Sequence, residues 1–232
     1  MIGPVPVTAL IVAKSPVPGQ VKTRLAASVG DAIAAHLAAA ALMDTLEAVA
    51  DAPFTRRILA LSGDLRQGLS SAEISNRLNG FHVITQRGET FGERLAHAHA
   101  DAAAASGGAA ILQIGMDTPQ VTAELLARCA RRLESAPAVL GPARDGGWWA
   151  LGVREAAMAA CLIGVPMSRP DTGALTAAAL TRAGTAITYL EELSDVDTIE
   201  DVATVLAACL PSSRFARACR AIGPVPTTSP TA

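Results

Sequence analysis

The sequence of 232 residues predicts an α/β fold built on a mixed, mainly parallel β-sheet. Three observations carry that expectation. Short apolar runs alternate with stretches of helical periodicity. The first four runs are continuously apolar, as in strands covered by helices on both faces. One pair of runs is joined too closely for a parallel crossover.

In chain order, the strand-like runs are residues 7–13, 57–61, 81–86, 110–115, 138–141, 148–153 and 186–190. Between them, Ile33, Leu37, Leu42, Leu46 and Val49 follow helical spacing after Asp31, a candidate cap. Residues 91–105, 122–133, 172–183 and 198–210 read as helices by the same criterion. Only PARDGG separates the runs at 138–141 and 148–153, so these two form a hairpin-like excursion and make the sheet mixed. Residues 65–80 are polar enough for a surface segment, and the tail after Gly223, PVPTTSPTA, has a disordered composition. No composition shift or long linker divides the chain. One domain is expected over residues 1–222, followed by a tail at 223–232.

Composition narrows the function classes. Half of the residues are hydrophobic and 17% are charged, which is ample for one core; only 3% are aromatic and 49 are Ala. Thin, helix-favouring side chains predict several helices packed closely on the sheet. The formal charge is −2, from 19 Lys and Arg against 21 Asp and Glu. Without a basic run, the footprint of a nucleic-acid-binding protein is missing. The longest uncharged stretch, residues 102–116, contains Ser106, Gly107 and Gly108 and is too short and broken to span a bilayer. The first 13 residues carry Pro4 and Pro6 and no basic segment, so a secretory signal is not expected. Cys129, Cys161, Cys209 and Cys219 show no CxxC spacing, and a reducing cytoplasm is the expected compartment.

Four places carry candidate chemistry. The connection after the first strand, AKSPVPGQVKTRL, sets Lys14, Lys22 and Arg24 in a Pro/Gly-punctuated loop between a strand end and a helix start, where α/β proteins bind phosphates. Gly19 allows close backbone approach. The loop lacks Walker A glycines, which Pro16 and Val21 replace. A solvated basic loop is the plainer reading.

After the fourth strand, QIGMDTP puts Asp117 at the strand end, suited to a divalent cation that bridges to phosphates, or to capping the turn before Thr118 and Pro119. In SDVDTIEDV, Asp195 and Asp197 point the same way if the segment is extended, so both could face one cation; Asp197 followed by Glu200 is equally a capping-box pattern. In RDGGWW, Asp145 adjoins a tight turn, and Trp148 and Trp149 point to opposite faces of a strand. His97 and His99 are two apart on a helix and make a poor metal pair, and there is no GxSxG, HExxH or GxGxxG.

Taken together, AKSPVPGQVKTRLA, QRGETFGERLAHA, IGMDTP, ARDGGWWALGV, MSRPDTG and DVDTIED, in that order, resemble the bacterial radical-SAM/selenodomain-associated transferases. That glycosyltransferase-like family has the nucleotide-diphospho-sugar transferase (GT-A) fold, and some members are named for arsenosugar biosynthesis. The resemblance runs from about Ala9 to Val202. It implies a Rossmann-like three-layer α/β/α sandwich with a nucleotide at the carboxyl ends of its first strands and Mg²⁺ or Mn²⁺ on the diphosphate. Lys14, Lys22 and Arg24, with Gly19 in the same loop, would hold phosphates; Gln86, Gly92 and Glu93 would lie near the base or sugar. Asp117 would be catalytic and a metal ligand, Asp197 the second metal carboxylate, and Asp145 the catalytic carboxylate on the acceptor side. The chain departs from the family at Met116, where Ser is commoner, and at Trp148 and Trp149, where tyrosines are commoner.

The activity this implies is glycosyl transfer from a nucleoside diphosphate sugar to a small-molecule acceptor. KTRLA also resembles the loop of 2-phospholactate guanylyltransferases, so the alternative is transfer of a nucleotidyl group from a nucleoside triphosphate to a phosphorylated metabolite. A non-catalytic nucleotide-binding module is the third reading.

Overall fold

Strand β1, Val5–Lys14, is buried at nearly every position from Val7 to Ala13, because helices cover both faces of the sheet in which it is central. The computed structural model describes residues 3–223, so the tail expected from residue 224 lies outside the described residues. After β1 come α1 (Thr23–Val29), α2 (Asp31–Asp51), β2 (Phe54–Ser62), α3 (Ser71–Arg77), β3 (His82–Thr85), α4 (Phe91–Ser106), β4 (Ala110–Gly115) and α5 (Ala123–Ser135). Then follow β5 (Ala138–Pro142), β6 (Trp148–Val153), α6 (Thr172–Arg182), β7 (Ile187–Tyr189), α7 (Ile199–Ala208) and α8 (Arg214–Ile222).

The sheet order is β3-β2-β1-β4-β6-β5-β7. Pairing is parallel from β3 through β4 and between β5 and β7; β6 runs antiparallel to both β4 and β5. The short PARDGG joint thus makes a hairpin, and its returning strand wedges between β4 and β5. The architecture is the α/β fold on a mixed, mainly parallel sheet that the sequence predicts.

Alternate residues of the strands divide the core. Val7, Ala9, Ile11 and Ala13 pack with α2 and α5 on one face, while Leu10 and Val12 pack with α4 and a 3₁₀ segment, Ala156–Gly164, on the other. A third cluster lies outside α2, where Leu37, Ala40 and Ala41 meet Val205 of α7 and Phe215 of α8. Helix α2 is therefore covered on both sides. By length and composition it could cross a bilayer, yet 78% of its apolar window is buried within the protein. Asp44 of α2 is almost buried and accepts from the backbone N–H groups of Arg214 (2.9 Å) and Phe215 (2.8 Å), which fixes the start of α8.

Two expectations need correction here. Residues 65–80 are not merely a polar surface segment: they hold a 3₁₀ turn, Leu65–Gln67, and helix α3, anchored by the fully buried Ile74. Helices α1 and α8 and the 3₁₀ segment at Ala156–Gly164 were also not expected; each is short, and tertiary packing stabilises it more than its own periodicity does.

His99 of α4 is fully buried against Gln113 of β4, with Nε2 2.9 Å from Oε1. Burial pushes its pKa down to about 4, against the pull of the Gln113 hydrogen bond. Between pH 4 and the ordinary value of 6.5 the unfolded chain binds a proton that the folded chain refuses, so stability falls as pH drops through that window. Urea unfolding should show a loss of about 2 kcal/mol between pH 7.5 and 5 from this group. His99→Gln should flatten that slope, and an unchanged slope would contradict the assignment.

Candidate active site

The carboxyl ends of β1 and β4 open into a cleft of about 910 Å³. Its walls come from the β1–α1 loop, the turn after β4, the β5–β6 loop, residues 167–172 and the segment before α7. This is where an open α/β sheet exposes strand-end loops to a ligand.

At the floor, Lys22 donates from Nζ to Oδ2 of Asp117 at 2.6 Å. Lys22 stands at the N-cap of α1 with a left-handed backbone (φ 49°), a costly conformation for a residue with a Cβ, and its side chain is only 10% exposed. Burial works to lower its pKa; the charge and hydrogen bond of Asp117, helped by Asp195 and Asp197, outweigh burial and raise it. Asp117 is held in turn by its carbonyl, which accepts from Val196 N at 2.9 Å and ties the end of β4 to the segment before α7. The Asp195 carboxyl is pushed up to about 7, first by burial and then by the charges of Asp117 and Asp145, with Lys22 opposing. Lys22 thus sits among Asp117, Asp195 and Asp197, with its one hydrogen bond to Asp117.

Arg24 donates to Asp197 Oδ2 at 2.8 Å in a more exposed pair. Helix α7 is capped differently from the Asp197–Glu200 expectation. Thr198 is the N-cap residue, and Asp201 completes the capping box by accepting from Thr198 N at 2.7 Å. Asp197 is thereby left for Arg24. Across the cleft, Asp145 Oδ1 accepts from Gly147 N at 2.8 Å, and Oδ2 has no partner among the described residues. Trp149 is buried and donates to Glu191 O, whereas Trp148 is half-buried and donates to Thr176 Oγ1.

Lys14, Lys22, Arg24, Gln86, Asp117, Asp145 and Asp197 all line the cleft. Gln86 nevertheless spends its amide Nε2 on Ala13 O (2.8 Å) and Ala60 O (2.9 Å), stitching the ends of β1 and β2. Gly19, Gly92 and Glu93 do not line it. Gly19 (φ 73°) serves the turn before Gln20, and a Cβ on Gly92 would strike the Leu162 carbonyl oxygen where α4 crosses the 3₁₀ segment. Glu93 closes a capping box on Thr90, accepting from the backbone of Glu89 and Thr90. In this structure Gly92 and Glu93 shape the start of α4.

Residues not singled out from the sequence also line the cleft: Phe91, with the Arg94 guanidinium 5.6 Å from its ring centre, Gln113, Met167, Arg169 and Thr172. MSRPDTG and QRGETFGERLAHA contained most of them without marking their roles. Among the described residues, no three His, Cys, Asp or Glu side chains form a ready-made metal cage.

Fold and cleft together define a transferase of the nucleotide-diphospho-sugar transferase superfamily. Within it, the chain belongs to the DUF2064 family, described as uncharacterized proteins conserved in bacteria, whose model matches residues 45–169. A similar solved structure is a candidate nucleotide-diphospho-sugar transferase from Desulfovibrio desulfuricans G20, 26% identical over 93% of this chain and 94% of that one, with a TM-score of 0.80. Two more distant structures share the fold. A cytidylyltransferase from Leptospira borgpetersenii is 15% identical over 94% of each chain, with a TM-score of 0.57. CMP:2-keto-3-deoxy-manno-octonic acid synthetase complexed with CTP is 12% identical over 87% of this chain and 98% of that one, with a TM-score of 0.53. No curated protein matches the sequence.

The packing of Gly92 yields a direct test. Gly92→Ala should lower stability in urea by about 1 to 3 kcal/mol through overpacking, while nucleotide-induced stabilisation of the folded fraction persists. Unchanged stability with lost nucleotide binding would return Gly92 to the ligand site.

Proposed function

We propose that the protein is a divalent-metal-dependent transferase that moves a glycosyl group from a nucleoside diphosphate sugar to a small acceptor. The observation that carries this reading is the junction of Lys22 with Asp117, Asp195 and Asp197 at the carboxyl ends of β1 and β4. The likeness to the Desulfovibrio structure, much nearer than that to the cytidylyltransferases, supports a nucleoside diphosphate sugar as donor. The resemblance to the radical-SAM/selenodomain-associated transferases supports it as well.

The donor set fits Mg²⁺ or Mn²⁺. Asp117 and Asp195 line the same cleft and offer hard carboxylate oxygens, the kind of donor that Mg²⁺ takes together with phosphate and water. Asp197, held by Arg24, stands at the margin of that set. When bound, the ion would neutralise charge on the departing diphosphate. Lys14, Lys22 and Arg24 carry the rest of the phosphate charge, and the rigid strand ends stitched by Gln86 keep those cations in register. Asp145 takes the proton of the acceptor hydroxyl on its free Oδ2. The hydroxyl oxygen bonds to the anomeric carbon, the bond from that carbon to the diphosphate oxygen breaks, and the nucleoside diphosphate leaves with the electron pair.

Nucleotidyl transfer is the second reading, favoured by the density of cations in the β1–α1 loop. There a phosphate oxygen of the acceptor attacks the α-phosphorus of a nucleoside triphosphate, and pyrophosphate departs.

Thermal unfolding with nucleoside diphosphate sugars and triphosphates, each with and without Mg²⁺ or Mn²⁺, tests both. A ligand at a hundredfold its dissociation constant adds about 2.7 kcal/mol, a shift of several degrees. One diphosphate sugar should stabilise most, only with metal, and Asp117→Asn and Asp195→Asn should each abolish the metal-linked part. Stabilisation mainly by a triphosphate would favour the second reading; an undiminished metal response in Asp117→Asn would contradict the metal assignment.

A further inference from the structure

We propose that the loop 166–172 forms an acceptor subsite for an oxyanion, a carboxylate or phosphate carried by the small molecule that receives the transferred group, and that Arg169 binds it. The inference rests on the transferase reading above and names the substrate class of the same cleft.

The cations of the cleft divide by position. Lys22 and Arg24 are paired with Asp117 and Asp197, Lys14 ends β1, and Arg94 lies over Phe91 in the first turns of α4. Arg169 belongs to the other side, in a loop that abuts the Asp145 turn: Gly173 N donates to Gly146 O at 2.8 Å, and a Cβ on Gly146 would collide with the Pro170 carbonyl. It therefore brings a positive charge to the wall that carries the acceptor-side carboxylate.

The guanidinium is half-used. Nε donates to Asp171 Oδ1 at 2.9 Å and Nη2 to Oδ2 at 3.1 Å, while Nη1 has no protein partner among the described residues. Asp171 occupies the N-cap position of α6 but makes no capping hydrogen bond; both of its oxygens go to Arg169. An ion pair this exposed, two residues apart, adds little stability, so the forgone cap is not offset by it. What the pair does is fix one edge of a rigid fork and leave the Nη1–Nη2 edge free. That edge matches two oxygens of a carboxylate or phosphate.

The turn beneath is held in one shape. Buried Thr172 accepts from Arg169 N at 3.0 Å and donates from Oγ1 to Pro166 O at 3.0 Å, and Ser168 is kept in the left-handed region (φ 59°). Met167 and the half-buried Trp148 line the same cleft and give it an apolar face. The acceptor is thus a small molecule with a nucleophilic oxygen for the Asp145 side, an oxyanion for Arg169 and an apolar face between them.

Calorimetric titration tests this on protein whose donor side is already filled. The nucleoside diphosphate that stabilises the protein most is added to saturation with Mg²⁺, so that added anions do not simply enter the phosphate loop. Glycerol 3-phosphate, D-glycerate and neutral glycerol are then titrated into wild type, Arg169→Gln and Arg169→Lys. Both anions should bind wild type and glycerol should not. Arg169→Gln should weaken the anions by about tenfold or more, and Arg169→Lys, which keeps the charge without the fork, should fall between. Equal binding of the anions by wild type and Arg169→Gln, or no anion binding by the loaded wild type, overturns the proposal. Failure of every nucleoside diphosphate to bind overturns the transferase reading and this inference with it.

Discussion

An ammonium group held 2.6 Å from a strand-end carboxylate, nearly out of water, is the contact on which the rest of the site depends. Neither partner is cheap to desolvate alone, and the pair is tolerated because each supplies what the other needs. Asp195 beside it is driven toward its neutral form first by burial and then by the charges of Asp117 and Asp145, against the pull of Lys22. On the metal-dependent reading proposed above, a bound divalent cation would sit among these carboxylates and free Lys22 for phosphate. The left-handed backbone at Lys22 is the local cost of reaching Asp117 from the start of α1.

The fold delivers this geometry through packing rather than long hydrogen-bond networks. Strands β1 and β4 are neighbours in parallel register, Val7 opposite Ala110 through Val12 opposite Gly115, so their carboxyl ends emerge side by side. Alanine-rich α2 fits between the sheet and the α7–α8 layer because thin side chains let helices approach on both sides. That layer matters for the site: α7 follows Asp195 and Asp197, and α8 is fixed to α2 by buried Asp44. The abundance of alanine, which looked compositional, is a requirement of a helix buried on two faces.

Most of the sheet was legible in the sequence, because doubly covered strands are apolar at successive positions and PARDGG leaves no room for a crossover. That β6 would insert between β4 and β5 was not legible, since local pattern carries no information about which strand a hairpin joins. Helices α1, α3 and α8 escaped for a related reason: each has few turns, and single anchors such as Ile74 or Phe215 decide them in three dimensions. In the site, residue type was informative where charge was involved. Lys14, Lys22, Arg24, Asp117, Asp145 and Asp197 converge on one cleft from distant parts of the chain. Gly92 and Glu93 lie outside that lining, where a crossing segment packs on the glycine and the glutamate closes a capping box. The pairing of Arg24 with Asp197 is revealed by no spacing rule.

The central claim is that the protein supplies part of a metal site and the nucleotide supplies the remainder. Counting free Mn²⁺ by electron paramagnetic resonance, with and without a saturating nucleoside diphosphate, tests it most directly. The carboxylates beside Lys22 should bind Mn²⁺ weakly alone and about tenfold or more tightly with the nucleotide present. Equal Mn²⁺ affinity in the two states would contradict the account.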